Sequence, residues 1–145
     1  MKKPINELKM QFSGKSVNES FARAAVCAFI IQLDPTVEEI NDIKTAVSEA
    51  VTNCIVHAYS DSIGKIYITV SLFENGEVKI KIRDTGKGIE DIKKAREPLF
   101  TTGGSDRAGL GFSVMETFSD KMYVRSTPLK GTTVTLIKRI EGKKK

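Results

Sequence analysis

Residues 83–89 read RDTGKGI and follow VKIKI, a run in which apolar and basic residues strictly alternate. Alternate side chains of a β-strand share a face, so Asp84 falls in phase with Val78, Ile80 and Ile82, while Lys79, Lys81 and Arg83 point the other way. A carboxylate on the apolar face is costly unless it has a partner. Asp84 either caps the next turn or accepts a hydrogen bond from a ligand N–H, and an adenine amino group has the right chemistry for the second role. Gly86 and Gly88 would let the backbone pass close to a flat ring with no Cβ in between. Two commoner glycine signatures fail. A dinucleotide fingerprint needs glycine at position 91, which is Asp91, and a Walker A loop around Gly14-Lys15-Ser16 needs glycine at position 9, which is Lys9.

A second group with chemical potential is Glu49, Asn53 and His57. Four residues advance a helix by about 400°, so on a regular helix these three form one slanting ridge. Such a ridge can be a solvated edge held by i,i+4 pairs. It also suits a magnesium–nucleotide site, because Mg²⁺ takes one or two protein oxygens and leaves its other positions to phosphate and water. Asn53 offers a neutral amide oxygen, and Glu49 can take a proton from an attacking hydroxyl. His57 reads as a structural hydrogen-bonding residue. A third group is PLFTTGGSDRAGLGF, residues 98–112, with four glycines, two threonines (Thr101 and Thr102) and one arginine. Gly109 and Gly111 near a helix start could leave N–H groups facing a phosphate, and Arg107 could reach its terminal oxygens. Alternatively the segment is simply a loop.

The surrounding pattern supplies elements to carry these residues. Residues 5–13 read as a strand. Ser16 to Glu19 matches a capping box, and a helix follows to about Leu33. Thr36 to Glu39 is a second capping box, opening a helix to about Tyr59 with apolar residues at Ile40, Ile43, Val47, Val51, Cys54 and Ala58. KIYITVSLF and VKIKIRD form a hairpin about Asn75-Gly76, where both residues tolerate positive φ. A short helix is expected near 89–96, another over 108–119, and then a strand pair around Pro128 and Gly131. Helices come early and strands late. The expected fold is α+β, a two-layer sandwich with a mainly antiparallel sheet and helices on one face.

Composition narrows the function classes. With 145 residues, 40% hydrophobic and 28% charged, one domain over residues 1–145 is expected. The longest apolar run, AAVCAFII, is too short to span a membrane, and MKKPINELK has no signal-peptide core, so a cytoplasmic setting is the expectation. Cys27 and Cys54 sit in apolar helical patterns and read as reduced thiols. The net charge is +5, of which residues 138–145, KRIEGKKK, contribute +4. That places the charge in a frayed basic tail from about 140 rather than on a nucleic-acid surface.

In order, the chain carries EAVTN on a helix, DTGKG after a strand, a glycine-rich segment ending GLGF, and Gly131-Thr132 opening the last strand. Together these resemble the Bergerat-fold ATP-binding domain of gyrase, Hsp90, histidine kinases and MutL. SVNESFAR, QLDPT, SEAVTN and EPLFTT extend the resemblance, over nearly the full chain, to the anti-sigma-F factors of sporulating bacteria. That resemblance implies a homodimer that holds a sporulation sigma factor and phosphorylates a serine of an anti-anti-sigma protein with ATP and Mg²⁺. By position it implies Glu49 as general base and Asn53 as Mg²⁺ ligand. Asp84, with Gly86 and Gly88, would recognise adenine, and Thr132 would support that aspartate. Thr101, Thr102, Gly109 and Gly111 fall among the nucleotide contacts, and Arg107 near the γ-phosphate. Glu19 and Arg23 fall where the family meets protein partners. Direct binding of nucleic acid or membrane is not implied. Alternatives are a non-catalytic, nucleotide-switched sigma-binding module and the sister anti-sigma kinase of a general stress response. A histidine-kinase catalytic domain is a third reading, disfavoured because the only histidine, His57, lies inside the nucleotide-site helix.

Overall fold

A computed structural model describes residues 3–59, 62–96 and 107–142, with side chains from 111 onward in the last stretch. Among the described residues five strands, β1 (Asn6–Ser13), β2 (Lys65–Leu72), β3 (Glu77–Asp84), β4 (Lys121–Thr127) and β5 (Gly131–Arg139), form one sheet in the order β1-β2-β3-β5-β4, and every neighbouring pair is antiparallel. Helices α1 (Val17–Ile30), α2 (Val37–Asn53), the short α3 (Ile92–Ala95) and α4 (Arg107–Thr117) make the second layer. This is the α+β sandwich expected from the pattern.

The alternation that defines β3 also decides which layer it faces. Val78, Ile80 and Ile82 are buried beside Ile66, Ile68, Val70 and Leu72 of β2 and Val134 and Leu136 of β5. From the helices, Ala22, Val26 and Ile30 of α1 and Ile43, Ala46, Val47, Ala50 and Val51 of α2 close the same core. On the outer face, the Arg83 guanidinium stacks on the Tyr67 ring at 4.1 Å, so its stem and charge both find a use outside the core.

Local chemistry departs from expectation at four places. At Ser16 the backbone is already helical and its side chain makes no capping bond; Glu19 turns instead to Ser48 of α2, whose hydroxyl donates to its carboxylate at 2.9 Å. The β2–β3 hairpin is not a two-residue turn: Gly76 N donates to Phe73 O and Phe73 N to Glu77 O, and of the Asn75-Gly76 pair only Gly76 takes positive φ, 89°. A tight turn followed by one left-handed glycine accommodates the same twist. Helix α2 ends at Asn53, and Cys54–Ala58 form a π-helical turn closed by Tyr59 N to Cys54 O at 3.1 Å. That i→i+5 spacing breaks the four-residue register on which a ridge from Glu49 through His57 depends.

The fourth departure is the start of the tail, residues 140–142; residues 143–145 lie outside the described residues. Ile140 is buried, and its N–H donates to Gly76 O at 2.8 Å. The Glu39 carboxylate then holds the next two residues. Its Oε2 accepts from Glu141 N at 2.7 Å, and its Oε1 accepts from Gly142 N at 3.2 Å and from Thr36 N at 2.9 Å. With Glu39 N donating to Thr36 Oγ1 at 3.1 Å, the capping box of α2 doubles as the anchor of residues 141–142. Partial burial works against ionisation of Glu39, but the hydrogen bonds from Thr36, Glu141 and Gly142 outweigh it and hold the carboxyl below its ordinary range. A depressed folded-state value means that the stabilisation is present above the unfolded value and is lost as pH falls through the folded one. Glu39→Ala is expected to cost about 1–3 kcal/mol in chemical denaturation. The amides of Glu141 and Gly142 should exchange faster, and the deficit relative to wild type should shrink in acid.

Candidate functional site

Asp84 is the last residue of β3 and lies opposite Thr132 in the β5 register. Its side chain is buried at 5% exposure. Oδ1 accepts from Gly86 N at 2.9 Å and from Thr132 N at 3.2 Å, and the Cys54 thiol donates to the same carboxylate. Asp84 therefore braces its own loop, as the capping reading required, and it remains a buried carboxylate at a sheet end. Burial pushes the carboxyl up from its ordinary value, and the bonds from Gly86, Cys54 and Thr132 with the Arg83 charge offset only part of that. Burial, then the charge and hydrogen bond of Asp84, push the Cys54 thiol well up, so it stays protonated and a donor. A raised folded-state carboxyl contributes stability below its unfolded value and loses it as pH rises through the folded one, the reverse of Glu39. In melting curves, Asp84→Asn is therefore expected to close part of the stability gap between mildly acidic and neutral pH.

Glycines let the loop after Asp84 nest against two other segments. A Cβ on Gly86 would stand 2.3 Å from Ala58 O at the end of the π turn, and Gly88, at φ 77°, would stand 2.2 Å from Thr127 O. Lys87 N donates to Ala58 O, and Leu129 N to Lys87 O at 2.6 Å. The Thr132 hydroxyl contacts Ser126 Oγ at 2.7 Å, and Ser126 Oγ also accepts from Ile89 N at 2.8 Å. Thr132 thus supports Asp84 through its backbone, while its hydroxyl ties β5 to β4.

On the helical side, Glu49 and Asn53 lie one turn apart on α2, both half-buried. Gly111 of α4 packs directly on Asn53: a Cβ there would stand 2.8 Å from Oδ1. Gly111 lies beyond the first four helical positions, whose N–H groups lack intrahelical partners, whereas Gly109 lies among them. The side chain of Arg107 and the whole of Thr101 and Thr102 lie outside the described residues. Glu19 and Arg23 pair on α1 at 3.7 Å, and Arg23 Nη1 reaches Ser48 Oγ at 3.5 Å, so this pair abuts the residue preceding Glu49. His57 is half-buried in the π turn.

Sequence reasoning missed Tyr59, Ser126 and Cys54 as members of this constellation. Their partners come from distant strands and loops, so only the register reveals them. A cleft of about 330 Å³, lined by Ala58, Tyr59, Ser62, Thr85, Gly86, Lys87 and Leu129, borders the loop without including Asp84 or Asn53. Among the described residues, no group of three or more His, Cys, Asp or Glu could hold a metal ion. A metal here would draw on few protein oxygens, and the half-buried amide of Asn53 and carboxylate of Glu49 fit an oxygen-seeking ion such as Mg²⁺.

Residues 15–138 match the family model of the histidine kinase-like ATPase domain. The chain is 57% identical over 136 residues to the anti-sigma F factor of Caldanaerobacter subterraneus subsp. tengcongensis, covering 93% of this chain and 94% of that protein. It is 51% identical over 141 residues to the anti-sigma F factor of Priestia megaterium, covering 96% of each. The chain belongs to the anti-sigma F factor family. Its fold recurs, at 22% identity and TM-score 0.69, in the RsbU and RsbW domains of a Mycobacterium tuberculosis protein, covering 94% of this chain and 33% of that one. It recurs also in the mycobacterial sensor histidine kinase MprB, at 12% identity and TM-score 0.59, covering 94% of this chain and all of that one. As a family member the chain carries a kinase-type, nucleotide-binding ATPase domain, and the sandwich is the Bergerat fold. No helix among the described residues is long and apolar enough to cross a membrane.

Proposed function

We propose that this anti-sigma factor, as a cytoplasmic homodimer, holds a sporulation sigma factor and uses ATP to phosphorylate a serine of an anti-anti-sigma protein. The observation that carries the reading is the buried Asp84 carboxylate, fixed by Gly86 N and Thr132 N at the mouth of a glycine-bearing loop. That group accepts the adenine amino hydrogen, and the loop glycines Gly86 and Gly88 run beside the ring. Asn53 would hold Mg²⁺ through its amide oxygen; when bound, the ion screens the phosphate charge. Glu49 takes the serine proton as the serine oxygen bonds to the γ-phosphorus and the bond to the β-phosphate oxygen breaks, releasing ADP. Arg107, Thr101, Thr102 and the Gly109 amide belong to the segment that would meet the phosphates.

The partner surface is read on α1. Val17 and Phe21 are 75% and 60% exposed there, alongside the Glu19–Arg23 pair. Apolar side chains flanking a charged pair suit contact with another protein. The test combines purified chain, ATP, Mg²⁺, a sporulation sigma factor and an anti-anti-sigma protein. Phosphoserine on the anti-anti-sigma protein and capture of the sigma factor are expected. Sigma capture without phosphoserine would reduce the protein to a nucleotide-switched binding module.

A further inference from the structure

Tyr59 closes the π turn and is 7% exposed. Its ring is clamped between two loops. A Cβ on Gly64 would stand 2.2 Å from Cε1, and one on Gly14 would stand 3.3 Å from Cδ2; Gly14 N donates to Gly64 O at 2.6 Å, locking these loops together. The ring so held points its hydroxyl at the residue after Asp84. Oη accepts from Thr85 N at 2.7 Å, lies 3.1 Å from Thr85 Oγ1, and donates to Lys65 O at 2.6 Å. The same π turn supplies the Ala58 carbonyl under Lys87 N and the Cys54 thiol on Asp84.

We propose that Tyr59 is a positioning residue for purine recognition: its hydroxyl pins the Thr85 backbone and so sets the aim of the Asp84 carboxylate. The inference rests on reading Asp84 as the acceptor for the adenine amino group. Without the hydroxyl, the Thr85 N–H loses its acceptor and the loop can rotate Asp84 away from the ring edge. The ring itself, still clamped by the glycines, keeps its packing in Tyr59→Phe.

The experiment measures ADP and IDP binding by calorimetry in wild type, Tyr59→Phe and Asp84→Asn. IDP carries a 6-carbonyl in place of the exocyclic amino group, so it keeps the ribose and diphosphate contacts but cannot donate a hydrogen bond to Asp84. Wild type should prefer ADP, and Asp84→Asn should erase that preference. Tyr59→Phe should lose about fivefold to tenfold in ADP affinity and less than twofold in IDP affinity. A purely structural role would weaken both nucleotides equally, and that result, or an unchanged preference, overturns the inference. No ADP preference in wild type overturns the underlying reading of Asp84 instead. Amide exchange of unmodified protein provides a check that needs no variant: Thr85 N–H should be protected, and exchange at the open-chain rate overturns the assignment to Tyr59.

Discussion

Replacing Glu49 with alanine is expected to lower phosphoryl transfer by roughly 10²–10⁴-fold while nucleotide affinity stays within about twofold. Glu49 sits on the regular α-helical part of α2, before the π turn, and it neighbours Ser48, which is bonded to Glu19 at 2.9 Å and to Arg23 at 3.5 Å. In the proposed reading, Glu49 receives the partner's proton. The loss should fall on kcat, because the base acts on the incoming hydroxyl and not on the bound nucleotide. Glu49→Gln should behave like the alanine variant, since an amide of the same shape cannot take the proton. A parallel loss of nucleotide affinity would make Glu49 a binding residue and remove it from the chemistry.

The second large effect belongs to Asp84. Asp84→Asn keeps the side-chain volume and an oxygen for the Gly86 and Thr132 amides, but it replaces a charged acceptor with a group that can present N–H to N–H. Adenine-nucleotide affinity is expected to fall by about 10²-fold, in line with a charge-assisted hydrogen bond of roughly 1.5–3 kcal/mol plus a mismatched buried donor. The nucleotide-free protein should melt no lower than wild type at neutral pH, because burial already disfavours the charge that the substitution removes. Unaltered nucleotide affinity, measured by calorimetry, would sink the purine pocket. A steep loss of stability would instead make Asp84 chiefly a structural brace.

Legibility from sequence followed the range of each interaction. Alternation in β3 predicted both the buried face and the inward Asp84, because a period of two is a local property. The Thr36 box formed as written, since its partners are three residues apart. The identical pattern at Ser16 did not form, because Glu19 had a better partner in Ser48, 29 positions away. The basic stretch at the C-terminus looked frayed by composition, yet residues 140–142 are held by Gly76 and Glu39. No count of lysines contains that information. The ridge Glu49–Asn53–His57 assumed an unbroken α-helix; the π turn shifted its last member.

Taken alone, the amino-acid order determined the layer architecture, the strand that carries the buried acid, the helix that carries Glu49 and Asn53, and the family motifs. Periodicity and short-range spacing encode all of these. Tertiary structure alone decided that Thr132 serves Asp84 through its backbone, that Gly111 lies on Asn53, and that Tyr59 and Cys54 grip the Asp84 loop. Those contacts join segments far apart in the chain. Their geometry follows from sheet register and from where glycine permits two backbones to touch, which no local pattern records.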